Sequence, residues 1–229
     1  MNNLAIIPAR GGSKRIPRKN LKHFLGKPII AYSIELAIQS NLFTEVMVST
    51  EDEEIAAIAK KFGASVPFLR SKKNSDDFAT LSEVIDEVLS TYKTQFDFIC
   101  CILPTAPLAS LEALNEGLSV LQKNQYDSVR PVVEFSYPIQ RAIKIDSDNR
   151  MHFFFPEHYK SRSQDLEPSY HDAGQFYWMT SKERLHGAKK GVVVINGNQA
   201  QDIDTEKDWE LAELKYKFNQ QKGNQYERK

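Results

Sequence analysis

Cysteine, net charge and long apolar runs are all scarce in this sequence, and each scarcity removes a class of explanation. The 229 residues hold two cysteines, Cys100 and Cys101, adjacent within an apolar run. Ordinary disulfide geometry is disfavoured between neighbours, so both are expected as inert, buried small hydrophobes. Lys plus Arg number 30 and so do Asp plus Glu, for a formal charge of zero, so no global field draws the chain to nucleic acid or to a membrane. The first apolar run, Leu4 to Pro8, is about five residues long, short of a signal-peptide core. No later segment approaches the roughly 20 residues of a membrane span. The expectation is a cytoplasmic, reducing setting with neither nucleic acid nor membrane as partner. Two common phosphate loops are missing as well, since neither G-x-x-x-x-G-K-S/T nor G-x-G-x-x-G can be read in the chain.

What is present is a basic glycine turn directly after that first run. From Ala9 the chain reads Arg10, Gly11, Gly12, Ser13, Lys14, Arg15, and then Arg18, Lys19, Asn20 and Lys22. Glycines without Cβ atoms let backbone N–H groups approach an anion, and the surrounding cations supply charge, so the segment reads as a polyphosphate cradle. The competing reading is a solvated basic loop or a nonspecific nucleic-acid patch. Position favours the cradle, because a loop leaving the carboxyl end of a buried parallel strand lies in the usual ligand crevice of an open α/β sheet.

The rest of the chain alternates in the same way. Leu4–Pro8 reads as a strand buried on both faces. A helix follows from Pro28 to Gln39, then a strand from Glu45 to Ser49, a helix capped by Thr50 with Glu53 and stopped by Gly63, and a weaker strand from Ser65 to Leu69. Thr80 with Glu83 opens another helix. Asp97–Leu103 is a strand, Ser110 caps a helix reaching about Lys123, and Asp127–Val133 is a strand. Gly174–Met179 and Gly191–Ile195 read as buried strands, and Thr205 with Asp208 caps a closing helix to Phe218. The fold expected is a three-layer α/β/α, Rossmann-like, mostly parallel sheet. Residues 1–133 and 171–222 would form it, with a β-rich insertion at 134–170 and a flexible tail at 223–229. The insertion's aromatics, Phe153, Phe154 and Phe155, suit either a local core or an interface with a second subunit.

Three further groups carry chemistry. Asp202 and Asp204, at spacing two before a helix cap, point to one side of an extended backbone. Two such carboxylates suit Mg²⁺, with Mn²⁺ as a substitute, because magnesium takes one or two protein carboxylates and fills its other positions with water and phosphate oxygens. Pro104-Thr105-Ala106-Pro107-Leu108 leaves a buried strand at the same edge, where Thr105 either lines the nucleoside or sugar pocket or bonds its own backbone in a rigid turn. The third group gathers Gln140, Arg141, Arg162, Gln164, His171 and Gln175. Arginine engages carboxylates bidentately, and Gln and His bond hydroxyls and amides, as an acidic, decorated sugar needs. His171 has no partner at ligand spacing and is not read as a metal site.

The loop, the Thr80/Ser82 helix start, the P-T-A-P-L turn and the D-I-D-T segment together resemble the acylneuraminate (nonulosonate) cytidylyltransferase family over nearly the whole chain. The strings S-Y-P-I-Q-R-A, R-S-Q-D-L-E and H-D-A-G-Q-F-Y-W are similar to its bacterial pseudaminic acid branch. The resemblance implies a homodimer with a dimerisation arm that uses CTP and Mg²⁺ to convert an acidic nine-carbon sugar to a CMP-sugar and pyrophosphate, for surface glycan or flagellin glycosylation. It implies Arg10, Lys14, Lys19 and Asn20 as phosphate and nucleotide contacts, Thr80 and Ser82 near ribose or base, and Asp202 and Asp204 as metal carboxylates. Leu103 stands where sialic acid members commonly carry Gln, Ala109 where Arg often follows, and His171 and Ala173 where they resemble R-P-N-G. These departures point away from sialic acid. Sialic acid, legionaminic acid and 3-deoxy-octulosonate remain the alternative substrates, and a non-catalytic nucleotide- or RNA-binding module is the alternative of a different class. The proton acceptor is open between a metal-bound base and one of the two aspartates.

Overall fold

Leu4, Ala5, Ile6 and Ile7 are all fully buried, which requires cover on both faces and a neighbour on both edges. The computed structural model describes residues 1–226, with side-chain surroundings up to residue 221. It runs β1 (Asn3–Pro8), a small hairpin of β2 (His23–Phe24) and β3 (Lys27–Pro28), α1 (Ile29–Ser40), β4 (Glu45–Ser49), α2 (Glu53–Lys61), α3 (Leu81–Thr91), β5 (Phe98–Ile102) and α4 (Leu111–Lys123). There follow β6 (Ser128–Glu134), a second hairpin of β7 (Ile143–Ile145) and β8 (Met151–Phe153), then β9 (Tyr170–Asp172), β10 (Phe176–Thr180), β11 (Lys190–Val194) and α5 (Glu206–Tyr226).

The main sheet has the order β11-β6-β10-β5-β1-β4, with β9 also on β6. β4, β1 and β5 are mutually parallel, as are β6 and β11, while β10 lies antiparallel between β5 and β6. Alternation along the strands divides the core. Ala5, Ile7, Cys100, Ile102, Phe176 and Trp178 face α1, α2 and α4, whereas Leu4, Ile6, Met47, Ile99, Cys101 and Met179 face α3. The three-layer arrangement follows from this two-sided burial. Cys100 and Cys101 are unpaired and fully buried, on opposite faces, and burial pushes both thiols up.

Several local expectations change. Thr50 does not cap α2; its buried hydroxyl accepts from the Asp52 amide, and Asp52 Oδ1 caps the helix by accepting from Glu54 and Ile55 N at 3.0 Å each. Ser65–Leu69 forms one bridge, Met47 to Ser65, rather than a strand, because Pro67 has no N–H to extend the ladder. Thr80 and Glu83 do form a reciprocal capping box, and Ser110 caps α4. α5 does not end at Phe218 but runs to Tyr226; of the tail expected at 223–229, residues 227–229 lie outside the described residues. Tyr216 packs edge-on against Phe24 and Tyr32, and Asn219 Nδ2 donates to Asn198 O at 3.0 Å, so the helix is fastened past the expected end.

Within the segment at 134–170, Glu134 belongs to β6, and β9 returns the chain to the main sheet against residues 132–134. Between them the β7–β8 hairpin leaves Ile143, Ile145, Met151, Phe154 and Phe155 exposed. β9 and β10 share one edge of β6 and are separated at Ala173–Gln175, where Gly174 takes φ +63°.

Candidate active site

All five parallel strands end at one edge of the sheet, so the loops after β1, β4, β5, β6 and β11 gather there. They enclose two clefts. The first, of about 460 Å³, is lined by Arg10, Ser13, Lys14, Arg15, Lys19 and Asn20 from the loop after β1. Its other walls are Arg70, Asp77, Ala79, Leu81 and Val84 on one side and Leu103, Pro104 and Thr105 on the other. The second, of about 480 Å³, is lined by Phe135, Ser136, His171, Asp172, Ala173, Gln201, Asp202 and Lys215 among others. Both volumes lie in the range of small-molecule sites, about 300–1,000 Å³.

The loop after β1 is built by hydrogen bonds to its own backbone and to the far end of the chain. Asn20 Nδ2 donates to Arg10 O at 2.9 Å, and Lys19 Nζ donates to Ile203 O at 2.6 Å. Arg15 pairs with Asp204 at 2.9 Å and Lys19 with the same carboxylate at 3.5 Å. The motif near the start and the D-I-D-T segment near the end therefore meet. Buried Ile203 packs with Ile16 and Trp209, and the carboxylates on either side of it serve the two clefts: Asp204 contacts the cations of the first, while Asp202 lines the second.

The two glycines have separate roles. A Cβ on Gly11 would overlap the Asp52 carboxylate, and the Gly11 amide donates to Glu51 Oε1 at 2.7 Å instead of pointing free into the cleft. Gly12 faces open space and is the glycine an anion can approach. Arg10 and Lys14 both pair with Asp77, whose carboxyl they hold below the usual range, the Lys14 hydrogen bond leading. Asp77 thus stands among the cations expected to meet phosphate. Arg18 turns away to Asp52 and Glu54.

Of the other expected residues, Ala9 is buried behind the loop, its amide donating to Ser49 O at 2.9 Å. Thr80 is occupied as a helix cap and Ser82 Oγ lies 3.0 Å from His186 Nε2; their neighbours Ala79 and Leu81, not they, line the first cleft. Thr105 lines that cleft, and His171 lines the second. Gln175 is buried, and its amide donates to Gln199 O. Gln140, Arg141, Arg162 and Gln164 stay on the arm: Gln140 donates to Glu167 O, Arg141 to Ser163, and Arg162 pairs with Asp165. None of these four lines either cleft.

Sequence reading passed over Arg70, Glu51, Asp77, Phe135 and Lys215. Arg70 is 7% exposed, pairs with Glu51 at 3.1 Å, and is held below its ordinary pKa by burial. A basic residue beside Leu69 in an irregular stretch gives no motif to detect, and only the fold brings it to the cleft.

The match to known proteins decides what these clefts belong to. Residues 4–184 fit the sequence profile of the family described as Cytidylyltransferase. The chain belongs to the cytidylyltransferase family. The chain is accordingly a CTP-dependent nucleotidyltransferase. This cytidylyltransferase is 47% identical to a pseudaminic acid cytidylyltransferase of Campylobacter jejuni, over 96% of this chain and 98% of that one. It is 33% identical to the CMP-N,N'-diacetyllegionaminic acid synthase of Legionella pneumophila, covering 96% and 99%. It is 32% identical to an Escherichia coli N-acylneuraminate cytidylyltransferase, covering 98% of this chain and 54% of the other. Among solved structures, CMP:2-keto-3-deoxy-manno-octonic acid synthetase complexed with CTP superposes with a TM-score of 0.67 at 17% identity, over 96% and 100% of the two chains, which shows a shared fold. No described helix of the cytidylyltransferase is long and apolar enough to cross a membrane.

Proposed function

We propose that this cytidylyltransferase converts CTP and pseudaminic acid to CMP-pseudaminic acid and pyrophosphate. The observation that carries the reading is the junction at Ile203, where Asp204 meets the cations of one cleft and Asp202 opens into the other. A triphosphate fits the first cleft, whose wall holds five cationic side chains, Arg10, Lys14, Arg15, Lys19 and Arg70. The second takes the sugar. The 47% identity to a pseudaminic acid enzyme over 96% of the chain supports that sugar in particular.

The reaction is an in-line displacement. The anomeric 2-hydroxyl oxygen bonds to the α-phosphorus, the bond from that phosphorus to the bridging oxygen breaks, and its electron pair leaves with pyrophosphate. The hydroxyl proton departs toward the Asp202/Asp204 pair. Arg10 and Lys14 neutralise the leaving pyrophosphate, and the loop and cleft walls hold the reactants in line, so orientation and charge supply most of the acceleration. The donor set suits magnesium: Asp202 is exposed with no ion pair among the described residues, and Asp204, two residues away, would exchange its pairs with Arg15 and Lys19 for the cation. No cluster of three or more His, Cys, Asp or Glu assembles among the described residues, and two carboxylates leave the positions that Mg²⁺ fills with phosphate oxygens and water. When bound, magnesium or manganese neutralises charge on the phosphate oxygens.

A homodimer in the cytoplasm completes the reading. The apolar β7–β8 hairpin, exposing Ile143, Ile145, Met151 and Phe154, supports a second copy as its cover, and sedimentation is expected to give twice the chain mass. The test of function is incubation with each nucleoside triphosphate and a panel of pseudaminic, legionaminic and sialic acids and 3-deoxy-octulosonate, with mass detection of products. CMP-pseudaminic acid is expected from CTP. Product from another acid alone rejects the assigned sugar, and RNA retention without product rejects the enzyme reading.

A further inference from the structure

Among the charged groups that line the second cleft, one cation has no ionic partner among the described residues. Its acids are Glu134, Asp172 and Asp202, and its basic groups are His171 and Lys215. Asp172 is already neutralised by Arg130 at 2.9 Å and accepts from the Gly174 amide at 2.8 Å. His171 is turned to its own backbone neighbourhood, with Nδ1 2.9 Å from Asp172 O and its ring edge-on to Phe135. Lys215 is different. It reaches the cleft from α5, half-buried, and its ammonium donates to Gly197 O at 3.0 Å, Ala200 O at 2.7 Å and Gln201 Oε1 at 3.1 Å. All three acceptors are neutral, and among the described residues no carboxylate forms an ion pair with it. An ammonium partly withdrawn from water and held only by neutral acceptors keeps its charge available to an incoming anion.

The three acceptors are unequal. Gly197 and Ala200 present backbone carbonyls fixed by the turn at 197–199, which Asn196 and Gln199 cap reciprocally. Gln201 presents a side-chain oxygen, on an amide whose Nε2 donates to Asp202 O at 3.0 Å and lies 3.5 Å from Asp208 Oδ1. Two fixed bonds aim the ammonium, and the third position is exchangeable.

We propose that Lys215 recognises the carboxylate of the acidic sugar in the second cleft, exchanging its bond to Gln201 Oε1 for a charge-assisted bond to the substrate. The assignment rests on the reading of that cleft as the sugar site. Asp202 follows Gln201 directly, so seating the carboxylate on Lys215 also sets the sugar beside the reacting junction.

The experiment compares wild type with Lys215→Met, Lys215→Gln and Lys215→Arg, measuring KM for CTP and for pseudaminic acid separately. Loss of a charge-assisted hydrogen bond predicts a roughly 10- to 100-fold higher sugar KM in the Met and Gln variants, with CTP KM within about twofold and partial recovery in Arg. Gln keeps a hydrogen-bond donor for the turn, so a purely structural lysine would leave its sugar KM near wild type, and that result overturns the proposal. The C1 carboxamide of the sugar supplies the other half of the cycle: it should lose the same factor with wild type and nothing further with Lys215→Gln, while independent losses also overturn it. A wild-type enzyme that makes no product from any of the acids overturns the proposed function instead, since no variant enters that measurement.

Discussion

Glu51 offers the sharpest test of how the first cleft is held together. It lies just after β4, where Oε1 accepts from the Gly11 amide at 2.7 Å and Oε2 pairs with Arg70 at 3.1 Å. The Arg70 side chain is 5% exposed and the Glu51 side chain 25%. Replacing Glu51 with Ala strands a buried guanidinium and a backbone donor together. Breaking a buried pair costs about 3–5 kcal/mol; because the carboxylate is a quarter exposed, we take about 2–4 kcal/mol. For a chain of this length each kcal/mol moves Tm by about 2–4 °C, so the melting point should fall by roughly 4–16 °C. Glu51→Gln keeps one acceptor oxygen for two donors and should fall between the variant and wild type. Because the pair is buried, raising the salt concentration should change the difference little. The assay is thermal unfolding by circular dichroism beside calorimetric titration with CTP, whose affinity should drop because Gly11 and Arg70 both lose their placement. A Glu51→Ala protein melting within about 2 °C of wild type and binding CTP equally well refutes the reasoning.

Asp204→Ala should fold with little change in melting temperature yet lose turnover by orders of magnitude, and unchanged turnover at saturating Mg²⁺ would sink the assignment of Asp204 to the reacting junction. Asp52 is held below the usual carboxylate range, first by its hydrogen bond to Arg18 and further by the Ile55 and Glu54 amides; its contribution is therefore present above about pH 4 and lost as pH falls through the lowered folded value. The Tm gap between wild type and Asp52→Asn should accordingly narrow in acid, and a gap equal at pH 7 and in acid contradicts the assignment. Gly117 lies inside α4, where alanine normally gains about 1 kcal/mol, but a Cβ there would come within 2.8 Å of Trp178 Cδ1 and 3.0 Å of Phe176 Cε2. Overpacking of about 1–3 kcal/mol should win, so Gly117→Ala is expected to melt lower; a higher Tm contradicts the packing.

Local chemistry was readable in the sequence where one segment carried it. The Thr80/Glu83 box and the Ser110 cap each depend on residues a few positions apart, and each forms as expected. The layered α/β fold followed from alternating apolar segments. Direction was not readable: Phe176–Thr180 looks like any buried strand, and only its pairing with β5 and β6 shows it to be antiparallel. Thr50 was the cap read from the sequence, and its burial in the fold leaves that role to Asp52. Asp202 and Asp204 were recognisable as a pair, but their division between two clefts depends on Arg15 and Lys19, nearly 190 residues away. Arg70, Glu51 and Lys215 escaped because their partners are set by tertiary contact alone. The arm residues Gln140, Arg141 and Arg162 look like substrate ligands by type, and within this chain they bond inside the arm.

The place of β10 also governs how the chain can be completed as it is synthesised. This strand joins the β4-β1-β5 half of the sheet to the β6-β11 half, yet it is among the last strands in sequence. A nascent chain ending before residue 176 can assemble β1, β4 and β5, but β6 has no bridge to them, and Trp178 is missing from the core that α4 covers. Closure must therefore wait for most of the polypeptide, with long-range pairing as the late step. Interrupted synthesis in that interval leaves open edges on β5 and β6, the state most exposed to aggregation.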